Sequence, residues 1–169
     1  MALHDGSHET RRGPGGREVN GVLTLALWLH VAAASWWILA SVTIAVGGAA
    51  VGSEGVEGRE FMTRVVPRLN GANAAAAAIV LATGVINIYA AGARRRFHFS
   101  PAFTWILAAK AGLYVVMAAA LMASFKAARA AATNDSPQSR RAGKLAALAA
   151  AAAIAGTGAM MLGVWLAGE

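Results

Sequence analysis

The sequence predicts an all-α fold, an integral membrane bundle of four transmembrane helices. Three observations predict it. The 169-residue chain is 57% hydrophobic and only 14% charged, whereas a soluble domain carries about 25% charged residues. Its apolar residues fall in four long blocks, about Asn20–Val51, Leu69–Gly92, Pro101–Phe125 and Leu145–Ala167. Each is long enough for a helical span, which needs roughly 20 residues. The blocks lack the ten-residue alternation of a membrane β-strand, and lipid leaves backbone groups no water to bond, so the spans must be helical.

Taken in order, residues 1–19 are polar and rich in Gly and His, and read as a mobile tail. Residues 20–168 then form one membrane domain. Nothing charged occurs from Val19 to Ser53, and that block far exceeds the apolar core of a signal peptide, about 7–15 residues. Arg11-Arg12 is followed by Gly-Pro-Gly-Gly, not by an apolar run, which argues against a twin-arginine export signal. The second block carries Ala74, Ala78 and Ala82 at i, i+4 spacing. The third contains Lys110. The fourth carries Ala147, Ala151, Ala155, Ala159 and Gly163 in one small-residue stripe. Such stripes let helices approach closely, within the bundle or against another subunit. The polar stretch Ala130–Arg141 separates the last two blocks, with a helix stop before Pro137. There are no cysteines, which excludes disulfides, thiolate metal sites and iron–sulfur clusters.

The formal charge is +7, but the basic residues sit between spans, where anionic headgroups attract them. The expected partner is membrane lipid and not nucleic acid. Six Lys/Arg lie on the amino-terminal side (Arg11, Arg12, Arg17, Arg94, Arg95, Arg96). Eight lie opposite (Arg59, Arg64, Arg68, Lys126, Arg129, Arg140, Arg141, Lys144). The positive-inside rule then favours both termini outside, with the bacterial inner membrane as the expected location.

Two ionisable residues lie inside the spans. At 1.5 Å rise per residue, His30 is roughly 15 Å and Lys110 roughly 13 Å below the amino-terminal side. Thr83 and Asn87 reach the same half from the second span, and Tyr114 and Met117 follow Lys110 on its helical face. Thr157 and Met161 belong to the same half. The other half is expected to be almost free of polar side chains, which gives the site one preferred side. Intramembrane ionisable groups are costly and mark function. A neutral imidazole is a good iron or copper ligand. The small residues Val31-Ala-Ala-Ala-Ser35 would leave room for a flat ring beside it, and bundle cores often house cofactors. The pattern fits a haem b held by His30, with Lys110 or no ligand on the other face. Arg94, Arg95, Arg96 and His98 would then meet the propionates, since arginine pairs well with carboxylates. Plainer roles fit the same residues: an interhelical hydrogen bond for His30, snorkelling for Lys110, and headgroup anchoring for the arginines.

"LHVAAASWWI" (Leu29–Ile38), "LATGVIN" (Leu81–Asn87) and "WILAAKAGLYVVMAAAL" (Trp105–Leu121) carry a resemblance. They resemble the Leu-His, Thr-Gly and lysine-bearing spans of the copper-resistance protein D family. The same His and Lys pair marks the related membrane protoporphyrinogen IX oxidase family of four-span haem b proteins. By this resemblance the pair maps onto His30 and Lys110, and the match covers roughly Leu25–Arg129.

Three functions follow as expectations. The first is a haem b electron-transfer protein, an oxidoreductase of porphyrinogen-oxidase type being one form, with a quinone or another redox protein as partner. The second is copper transport or resistance, with His30, Met117 and Met161 as ligands, where the haem reading takes His30 and Lys110 as the metal ligands. The third is a cofactor-free accessory subunit of a larger membrane complex, or a homo-oligomer, docked through the alanine stripes.

Overall fold

The computed structural model describes the backbone of residues 15–50, 56–132 and 138–167. Most of the predicted tail lies outside the described residues. Long helix α1 (Gly15–Ala50) begins five residues before the predicted boundary at residue 20. A short α2 (Val56–Glu60), a π-helical turn (Phe61–Val65) and α3 (Val66–Arg94) follow one another without leaving helical dihedrals. Next come α4 (Pro101–Ala132) and α5 (Gln138–Ala167). There are no strands among the described residues.

The fold is an all-α four-helix bundle, and α1, α3, α4 and α5 each contain a stretch long and apolar enough to cross a membrane. Those stretches are Gly21–Ala50, Phe61–Arg94, Pro101–Arg129 and Gly143–Gly163. The second starts eight residues earlier than the blocks suggested, because Arg64 and Arg68 are carried on a helix and not in a loop. The surface is apolar as well: Trp28, Trp105 and Ile154 are 68%, 75% and 74% exposed. Water does not reward such a surface; lipid does. These four helices fit a membrane protein.

Local chemistry sets the helix ends. Pro67 has no N–H, and in a regular helix its ring would press on the carbonyl four residues back. The turn just before it is π-helical, with the Val66 N–H bonded to the Phe61 carbonyl, so the widened backbone accommodates the proline. Helix α3 ends in a Schellman motif: the Phe97 N–H donates to the Gly92 carbonyl at 2.7 Å and the Arg96 N–H to the Ala93 carbonyl at 3.4 Å. Arg96 and Phe97 hold left-handed dihedrals, φ 49° and 58°. Helix α4 is capped by Ser100, whose Oγ accepts the Phe103 N–H at 3.2 Å, with Pro101 opening the first turn.

Helices α1 and α5, α4 and α5, and α1 and α3 pack extensively, and the α3–α4 seam is looser than these three. The interior is layered along the bundle axis. On the amino-terminal side lie His30, Thr83 and Lys110. Next comes an apolar layer of Ala33, Ala76, Met117 and Ala155 against the Trp37 ring. A second polar layer holds Ser41, Asn70, Asn73 and Ser124, all buried. The far layer is apolar again: Ile44, Met62, Val66, Ala128, Leu145 and Ala149. The expectation of a nearly apolar far half is therefore corrected. Asparagine and serine are small enough to hide at helix contacts, and they bond each other: Asn70 Nδ2 donates to Ser124 Oγ at 2.9 Å and Ser124 Oγ donates to Asn70 Oδ1 at 3.1 Å. The stripes are also split. Ala155 is buried, but Ala147 and Ala151 in α5 and Ala78 and Ala82 in α3 face outward.

Candidate functional site

The first polar layer is built from four helices. His30 on α1 is half-buried, and its Nδ1 lies 2.9 Å from Thr83 Oγ1 on α3. The threonine hydroxyl has one proton, and it points along its own helix to the Ile79 carbonyl at 2.6 Å, with Val80 O at 3.3 Å. Its oxygen is then an acceptor, so His30 Nδ1 carries the hydrogen. In the neutral ring this leaves the lone pair on Nε2, the nitrogen that could bind a metal. A histidine ligand whose other nitrogen donates to a fixed acceptor is the usual support arrangement in metal sites. Gly84, the next residue after Thr83, makes room for the ring; a Cβ there would sit 3.5 Å from His30 Cε1.

Lys110 on α4 is half-buried. Its Nζ lies against Gly163 of α5, 3.1 Å from where a Cβ would stand. It has no hydrogen bond or ion pair among the described residues. Asn87 follows Thr83 by one helical turn and is half-buried. Tyr114 crosses from α4 to α3, where its hydroxyl donates to the Ala77 carbonyl at 3.1 Å. That bond ties the loose α3–α4 seam beside the site.

Other predicted residues are not brought to His30. Met117 packs in the apolar layer with Trp37 and Ala155. Met161 is 64% exposed. The small residues after His30 do not leave open space along their whole length, because Ala33 is buried in the apolar cluster of Trp37, Ala76, Met117 and Ala155. Arg94, Arg95, Arg96 and His98 lie exposed at the α3–α4 turn. Arg95 stacks its guanidinium on the Phe103 ring at 5.1 Å, and Phe103 stacks on Phe99 with centroids 4.7 Å apart. His98 Nδ1–H donates to the Arg96 carbonyl at 2.9 Å. Among the described residues no three His, Cys, Asp or Glu side chains converge on one point.

Sequence reasoning missed the second polar layer. The signal was there: Asn70 and Asn73 lie at i, i+3 on one face of an apolar helix. Comparison with protein-family models, curated proteins and solved structures finds no match to this chain.

Proposed function

We propose that this is a membrane haem b protein that passes electrons, in which His30 Nε2 would hold the haem iron. The observation that carries the reading is the His30–Thr83 hydrogen bond, which turns an intramembrane histidine into an oriented donor with one free nitrogen. A haem would supply one-electron chemistry at this depth. Lys110 would serve as a second ligand or as a polar partner. Arg94, Arg95, Arg96 and His98 stand at the same end of the bundle, where propionates would reach the headgroup level. The resemblance of the His30 and Lys110 spans to haem b oxidase-type proteins supports the same reading. A quinone in the membrane or another redox protein is the proposed partner, with both termini outside the bacterial inner membrane.

The test is a dithionite-reduced minus oxidised spectrum of detergent-purified protein made with haem supplied. The wild type should give sharp α and Soret bands, and His30→Ala should lose them. Folded wild-type protein without bands would end the proposal. A bound metal without porphyrin would turn attention to copper.

A further inference from the structure

The second polar layer contains two polar atoms with no partner. Trp37 Nε1 and Asn73 Oδ1 are each fully enclosed and unbonded, on residues that are 1% and 2% exposed. Both residues line one small crevice between the helices, together with Ser41, Asn70 and Ser124. The space open to the centre of a water molecule there is about 10 Å³, close to the least that houses one water. Asn70 and Ser124 satisfy each other across it, so the unmet groups are the indole donor and the amide acceptor.

We propose that this crevice is a binding site for a single internal water, held between the Trp37 indole and the Asn73 amide. The chemistry selects the occupant. An indole N–H only donates, so it repels a cation and asks for an acceptor. Asn73 Oδ1 only accepts, so it asks for a donor. Water is both, and it fits whichever way the amide is turned. A larger organic ligand does not fit the volume. The site lies apart from His30, beyond the apolar layer of Ala33, Ala76, Met117 and Ala155. It therefore hydrates the half of the bundle opposite the candidate cofactor site without joining it, and it stands whether or not His30 binds haem.

The test uses full-length protein labelled with ¹⁵N at the tryptophan indoles, with Trp37→Phe assigning the Trp37 signal. The expected result is a downfield, hydrogen-bonded Trp37 indole with a direct cross-peak to water. Asn73→Leu, close in size but unable to bond, should abolish the cross-peak and leave the other four indoles unchanged. A Trp37 indole with the shift of an unbonded N–H and no water cross-peak would overturn the proposal on the wild type alone. A cross-peak unchanged in Asn73→Leu would remove Asn73 from the site and overturn it equally.

Discussion

The chemistry proposed for this protein turns on one nitrogen, Nε2 of His30, and on the threonine that decides its state. Thr83 is buried and spends its proton on the carbonyls of its own helix, so it can only accept from the imidazole. Thr83→Val keeps the shape and removes the acceptor. Haem affinity should fall about 10–100-fold, the usual cost of losing such an outer partner, while Thr83→Ser should stay near wild type; haem titration of the apoprotein measures both. His30 and Lys110 were legible in the sequence because charge is so rare in the spans. The identity of the hydrogen-bonded partner was not. Thr83 and Asn87 are one turn apart on one face of α3, and only the height of α3 against α1 decides that Thr83 meets the ring.

At the scale of elements, close approaches set the helix positions. Gly47 of α1 receives the Phe61 ring from the π-helical turn so tightly that a Cβ would overlap it. Gly47→Ala should destabilise the bundle by about 1–3 kcal/mol, as overpacking does, and Phe61→Leu should recover much of the loss in a detergent melt. The Asn70–Ser124 pair joins α3 to α4 across a seam looser than the other three. Replacing Asn70 by Leu should cost about 1 kcal/mol, in the range of interhelical bonds in membranes. Adding Ser124→Ala should restore part of that, because a hydroxyl left alone is worse than a pair removed. Hydropathy made the four spans visible but not their ends. The second span begins at Phe61, and the charged side chains of Arg64 and Arg68 hid that start. Nor did spacing show which small residues turn inward: Ala155 does, whereas Ala147 and Ala151 on the same predicted stripe do not.

For the whole molecule, the four long helices alternate in direction, so the Arg94–Arg96 turn shares an end with the start of α1. The chain has no cysteine, so single cysteines introduced at His98 and at Lys144 give unique reporters. An impermeant maleimide on intact cells should label one and spare the other, and outside termini require that His98→Cys be the labelled one. On the proposed reading, redox chemistry would belong to the polar layer of His30 and Thr83, on the amino-terminal side of the apolar layer. The central claim is that the His30 imidazole itself holds the haem iron. The most direct measurement is chemical rescue of His30→Gly: the purified variant is given haem, and free imidazole is then added. The account predicts no haem bands for the variant alone and their return as imidazole fills the space. Full bands in His30→Gly without imidazole would contradict it, because the iron would then be held elsewhere.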